Sequence, residues 1–248
     1  MPSRARKHSE TGFYHITQVG AGRQIIFDSD SDKLQYVQLL RNAVSNFSFT
    51  ILAWCLMSNH THIVARAEPD ELSRAMHDIG FKYAQYFNGA NGHEGPVFQS
   101  RFFSEPIEQE SYLLAAIRYV HNNPESAQIC KAEEYRWSSY RSYLRGGGLA
   151  DTQLVLEMLG GTEKFVEFSK QPDTFETNIE PESIRSRLTD DEAREVVNTI
   201  VQPLSLAELK TLPRERRNEL LQEIKRTGIG VRQIQRLTGI GLGTISRA

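Results

Sequence analysis

The chain has 248 residues, 39% of them hydrophobic and 24% charged. That is enough for one or two buried cores, and it excludes general disorder, collagen and a disulfide-stapled miniprotein. A net charge of -2 hides three balances: 15 basic against 15 acidic residues over 1–148, 5 against 12 over 149–203, and 9 against 4 over 204–248. A basic final stretch suits contact with a polyanion as well as it suits a solvated helical tail, so charge alone decides nothing there. The longest apolar run, 51–57, falls far short of the roughly 20 residues that a membrane-spanning helix needs. The basic start, Met1 to Lys7, leads into His8-Ser9-Glu10 instead of the apolar segment of a secretory signal. Cys55 and Cys130 sit among apolar neighbours, as reduced thiols of a cytoplasmic protein do.

In chain order, the pattern predicts a first strand over 13–19. Asp28-Ser29-Asp30-Ser31-Asp32 then offers N-cap chemistry to a helix over about 33–46, whose apolar positions Leu34, Val37, Leu40 and Val44 recur at helical spacing. A second strand over 49–56 and a third over 59–66 flank the short Met57-Ser58 connection. A helix over about 71–87 precedes a Gly-rich stretch, 88–96, read as a loop. A fourth strand is expected over 97–103 and a helix over about 108–122, stopped by Pro124. The order β-α-β-β-α-β-α is that of an α+β, ferredoxin-like split βαβ antiparallel sheet with an extra C-terminal helix. The expected domains are 1–145, an acidic helical connector over 146–203 that starts with Gly146-Gly147-Gly148, and a basic tail over 204–248. In that tail Pro213 precedes a helix over 214–225, and Gly239 separates two short helices. This is an all-α, helix-turn-helix-like pattern that would offer Arg232, Thr244, Ser246 and Arg247 to DNA.

The sharpest local feature is Asn59-His60-Thr61-His62. Side chains two apart on a strand share a face, so His60 and His62 converge as two nitrogen ligands of one divalent ion would. A histidine pair alone is more often structural. This strand is otherwise apolar, with Ile63, Val64 and Ala65 following, and an imidazole at a core edge is costly unless satisfied. On the last helix of the sheet domain, Tyr119 and Asn123 are four apart and share a face beside the stripe Leu113, Ala116, Ile117 and Val120. An amide oxygen as third ligand suits a magnesium- or manganese-like ion. Taken singly, Tyr119 reads as a core-edge tyrosine and Asn123 as a helix end.

Together, five ordered blocks resemble a family. Phe13-Tyr14-His15-Ile16-Thr17, Leu56 to Val64, Phe98-Gln99-Ser100-Arg101-Phe102, Arg118-Tyr119-Val120-His121-Asn122-Asn123-Pro124 and Trp137-Ser138-Ser139-Tyr140 look like the insertion-sequence-200-like transposases, nearest to their REP-associated tyrosine branch. The resemblance implies a single-tyrosine HUH nuclease fold in which Tyr119 is the nucleophile and His60, His62 and Asn123 hold a divalent metal, Mg2+ or Mn2+. It implies a transposase-like endonuclease and strand transferase that acts on single-stranded, hairpin-bearing DNA through a 5′-phosphotyrosine. Tyr112, seven residues earlier on the same stripe, is a reserve nucleophile. Expected DNA contacts are Arg4, Arg6, Lys7, Lys82, Arg101 and Phe102, each of which also reads as an ordinary surface group, with duplex DNA a further partner for the tail. The alternative is a domesticated sequence-specific DNA-binding regulator whose nuclease is lost. A small-phosphate-ester hydrolase lacks a Gly-rich phosphate cradle here. Monomer and homodimer both fit the sequence.

Overall fold

A computed structural model describes residues 7–172, 188–206 and 208–248. Four strands, β1 (Phe13–Val19), β2 (Phe49–Leu56), β3 (His60–Ala67) and β4 (Phe103–Ile107), form one antiparallel sheet in the order β2-β3-β1-β4. With α1 (Asp30–Asn46), α2 (Pro69–Asn91) and α3 (Glu110–Ser126), this is the expected β-α-β-β-α-β-α arrangement.

Strand alternation decides what each face of the sheet carries. Thr17 lies opposite His62 on one side and Phe103 on the other, while His15 lies opposite Val64 and Glu105. One face therefore collects His15, Thr17, His60 and His62. The other collects Tyr14, Ile16, Gln18 and Ile63, and α1 and α2 cover that second face. Tyr36 Oη of α1 donates to Gln18 Oε1 at 2.7 Å, and Tyr83 Oη of α2 donates to the Ile26 carbonyl. The rings of Phe27, Tyr36 and Tyr83 pack with centroids 5.1 to 5.2 Å apart. Helix α3 covers the histidine face, burying Leu113, Ala116, Ile117 and Val120.

Local chemistry accounts for several element ends and corrects others. Ser29 caps α1 in a reciprocal capping box with Asp32. The buried face of α1 is Tyr36, Val37, Leu39, Leu40 and Ala43, and Leu34 and Val44 point to solvent. Helix α2 runs through Gly89 to Asn91, where Gly92 in the left-handed conformation ends it, so half of the expected 88–96 loop is helix. The fourth strand is displaced from 97–103 to Phe103–Ile107. Val97 and Phe102 turn inward as core plugs, Phe98 makes only an isolated bridge to Gly20, and β4 tolerates Pro106 because it is an edge strand. Helix α3 continues past Pro124 to Ser126. The proline removes one backbone donor near the helix end, and the ring is itself buried.

Beyond the sheet, α4 (Tyr140–Arg145), α5 (Gln153–Leu159) and α6 (Thr162–Ser169) join the first core through Tyr140, Tyr143, Val155 and Phe165. A second apolar cluster gathers α7 (Asp190–Val201), α8 (Arg214–Arg226), α9 (Val231–Thr238) and α10 (Leu242–Arg247) around Val197, Leu221, Ile224, Ile234 and Ile245. The stretch read as a connector thus contributes helices to both cores. Glu192 of α7 also meets Lys33 of α1 at 3.4 Å. Among the described residues no helix is long and apolar enough to cross a membrane.

Gly20 joins β1 to the turn between β2 and β3, its N–H donating to the Asn59 carbonyl at 2.9 Å. A Cβ there would stand 2.3 Å from the Gln24 carbonyl oxygen and 2.9 Å from Ile26 Cγ2. Gly20→Ala is expected to destabilise the protein by about 1–3 kcal/mol, measured as a lower urea midpoint with an unchanged slope.

Candidate active site

Strand β3 starts with two histidines on the α3 side of the sheet, and register brings His15 beside them from β1. All three imidazoles are buried, at 0% exposure. The His60 and His62 ring centroids are 4.9 Å apart, and those of His15 and His62 are 5.2 Å apart. Tyr119 of α3 meets this cluster edge-on, its ring 5.4 Å from His62 and 5.8 Å from His15. The phenol is half-buried, between the sealed histidines and the surface.

Asn123 lies one turn further along α3 and is helical despite the proline that follows. Its Nδ2 donates to the Tyr119 carbonyl at 3.1 Å, leaving Oδ1 as the atom able to face His60. Burial holds His60 down to about 4, and the Asn123 amide beside it acts in the opposite direction. Burial lowers His15 to about 3 and pushes His62 well below its ordinary value, the latter with help from its histidine neighbours. All three are therefore neutral at pH 7.

Both His60 Nε2 and His62 Nε2 are buried with no hydrogen-bond partner among the described residues. Their Nδ1 atoms are engaged: His60 Nδ1 lies 2.8 Å from Asn59 Oδ1, and His62 Nδ1 lies 3.0 Å from His15 Nε2 and 3.3 Å from Thr17 Oγ1. Two neutral imidazoles with vacant Nε2 atoms and a nearby amide oxygen fit a divalent cation. Among the described residues no three His, Cys, Asp or Glu side chains gather into a metal-holding group, so a third protein ligand has to be of another type.

The remaining expected site residues are scattered. Arg4 and Arg6 lie outside the described residues. Lys7 and Arg101 are exposed. Phe102 is buried at 7% exposure, so its ring is not open to stack on a base, whereas the neighbouring Phe103 is half-exposed. Lys82 sits on α2, behind the opposite face of the sheet, in an ion pair with Asp78 at 2.8 Å. Tyr112 is held by a hydrogen bond with Glu105 on β4, the residue paired with His15. Arg232, Ser246 and Arg247 are exposed on α9 and α10, with Thr244 partly so. His15 was legible only as part of a motif. Its approach to His62 depends on a pairing register that the sequence does not print.

A fourth histidine, His121 on α3, is also fully buried and is lowered to about 3. Its Nε2 lies 2.8 Å from Ser139 Oγ inside an aromatic cage of Tyr140, Tyr143 and Phe165. In the unfolded chain these histidines take up protons near pH 6.5, and in the folded chain they do not. Their contribution to stability is complete above 6.5 and is lost as pH falls toward their lowered folded values, about 4 for His60 and about 3 for His15 and His121. In metal-free buffer the denaturation midpoint is expected to fall between pH 6.5 and 5, where ordinary carboxylates barely titrate. Replacing His121 by Phe should remove about one proton from the uptake on unfolding in that window.

The family described as Transposase IS200 like matches residues 9–123. Among solved structures, one described as "Structure of the REP associates tyrosine transposase bound to a REP hairpin" is similar, with a TM-score of 0.50 and 18% identity, over 62% of this chain and 96% of that one. At that identity the likeness concerns the fold. No curated protein matches the chain. The strand register and the helix that closes over it fall largely within the segment, 9–123, that matches the family described as Transposase IS200 like.

Proposed function

We propose that this protein is a single-tyrosine DNA endonuclease and strand transferase acting on hairpin-bearing single-stranded DNA, with Tyr119 as nucleophile and His60, His62 and Asn123 as ligands of Mg2+ or Mn2+. One observation carries the reading: a half-buried phenol stands 5.4 Å, ring to ring, from His62, one of two neighbouring histidines whose Nε2 atoms have no hydrogen-bond partner among the described residues. The solved relative's REP hairpin points to a hairpin-bearing substrate of the same kind.

A phenol, of ordinary pKa about 10, is a poor nucleophile at neutral pH. A divalent ion supplies polarisation of the scissile phosphate and offsets charge in the transition state. The chain's own residues supply placement. Helix α3 holds the Tyr119 ring edge-on against His15 and His62, so little rotational freedom is lost when DNA arrives. Neutral imidazoles keep their ring lone pairs available. As the Tyr119 oxygen bonds to phosphorus, the bond to the 3′ oxygen breaks, giving a 5′-phosphotyrosine and a free 3′ hydroxyl. The adduct retains the phosphodiester bond energy, so attack by a second 3′ hydroxyl rejoins strands without ATP.

Grip on DNA is assigned to Lys7 and Arg101 on the sheet domain and to Arg232, Thr244, Ser246 and Arg247 on the tail, where α9, the left-handed Gly239 and α10 make a helix-turn-helix-like unit. Arg236 is tied to Asp190 by bonds of 2.6 and 2.9 Å, so its neighbour Arg232 is the better phosphate contact.

A radiolabelled hairpin oligonucleotide with Mn2+ is expected to yield a covalent protein-DNA species. Tyr119→Phe should abolish it, and His60→Ala should slow it by more than the roughly 10- to 100-fold typical of an outer-shell change. Adduct formation by Tyr119→Phe at the wild-type rate would remove the nucleophile assignment. For the tail, Arg232→Ala and Arg247→Ala should each lower the salt slope of duplex binding by about 1 while leaving the adduct yield on a short hairpin unchanged. Unaltered slopes in both variants would confine DNA contact to the sheet domain.

A further inference from the structure

Asn59 and His15 contact the two histidines, and neither is a proposed ligand or nucleophile. Asn59 is fully buried in the turn between β2 and β3, where Met57 N–H donates to the His60 carbonyl at 2.9 Å. The Asn59 backbone is pinned in turn, its carbonyl accepting from Gly20 N–H. Its side-chain oxygen lies 2.8 Å from His60 Nδ1. An amide oxygen only accepts, so the His60 proton sits on Nδ1 and its Nε2 carries a lone pair.

At His62 two atoms face Nδ1: His15 Nε2 at 3.0 Å and Thr17 Oγ1 at 3.3 Å. Either proton placement leaves one buried N–H without a partner, on His15 Nδ1 or on His62 Nε2. The reverse placement lets both neighbours donate to His62 Nδ1, so it is the ligand reading of His62 that selects the proton on Nδ1, which gives His62 Nε2 the same lone pair as His60 Nε2. The two lone pairs then belong to rings whose centroids are 4.9 Å apart.

We propose that Asn59 and His15 are positioning residues that fix the tautomers of His60 and His62, holding each proton on Nδ1 so that both Nε2 atoms are presented to one cation. The inference rests on the reading of His60 and His62 as ligands. It adds that the site is preset in the metal-free protein by two hydrogen bonds, one from the β2–β3 turn and one from β1. Partners of this kind orient a ligand ring and raise its basicity.

The test is a long-range proton-nitrogen correlation spectrum of the metal-free full chain at pH 7, with ring signals assigned from His15, His60 and His62 variants. Mn2+ affinity is then read by electron paramagnetic resonance. The expected spectrum shows His60 and His62 as Nδ1–H tautomers. Asn59→Leu and His15→Phe should each lose that tautomer at the neighbouring ring and weaken Mn2+ binding by about 10- to 100-fold. Asn59→Asp and His15→Gln, which keep an acceptor, should restore both readouts. An Nε2–H tautomer at either ring of the wild-type protein overturns the proposal without any variant having to fold. Wild-type Mn2+ affinity in both apolar variants overturns it as well. Nδ1–H tautomers in a wild-type protein that binds no Mn2+ would support the tautomer assignment and remove the cation reading alone.

Discussion

Leaving a buried polar atom without a hydrogen bond costs about 1–3 kcal/mol, and this fold does so at neighbouring imidazoles. His15, His60 and His62 are sealed between the sheet and α3, and each has one ring nitrogen with no partner among the described residues. A structure selected for stability alone would fill those positions with aliphatic side chains, as it does one strand pair away at Ile16 and Ile63. The opposite face is largely apolar, with Gln18 and Thr61 as its buried polar members. Phe27, Tyr36 and Tyr83 interlock there, and both tyrosine hydroxyls find acceptors. Stability and chemistry are thus assigned to the two sides of one sheet.

The same division explains how rigid the site is. His60 and His62 are on a central strand paired on both edges, so their backbone is held by two ladders. Tyr119 and Asn123 sit on one face of a helix whose apolar stripe is locked against β2 and β3. Asn123 donates to the Tyr119 carbonyl, which joins the proposed nucleophile and the proposed third ligand within one helical turn. Moving either would mean moving the helix.

Much of this was legible in the sequence because period and punctuation agreed. β1 and β2 run over the stretches that apolar alternation marks, and Ser29 and Asp32 cap α1 where the acidic run indicates. The failures share a cause, which is tertiary context overriding a local rule. Phe102 and Phe103 are adjacent aromatics, and only the packed loop decides that the first plugs the core while the second faces solvent at a strand edge. Pro124 reads as a helix stop, yet burial of its ring carries α3 two residues further, and that extension keeps Asn123 in register with Tyr119. His15 could not be assigned from its own strand, because its partner is 47 positions away and is chosen by the β1–β3 register. The apolar positions of the acidic stretch before the tail divide: Val155 and Phe165 belong to the first core, and Val196 and Val197 to the second.

Tyr119 is partly exposed while His15, His60 and His62 are buried, so under the proposed function it sets the direction from which a substrate comes. Under the proposed function a phosphate of the DNA meets Tyr119, and the exposed Arg101 and Lys7 are the proposed contacts for its neighbours. The tail has its own apolar centre around Ile234 and Ile245, so side chains on its outer helices can change without disturbing the packing that neutralises the histidines. In the proposed function, choice of DNA and chemistry on DNA are therefore separable. The first rests on exposed, exchangeable cations and the second on a buried set of rings that tolerates little change.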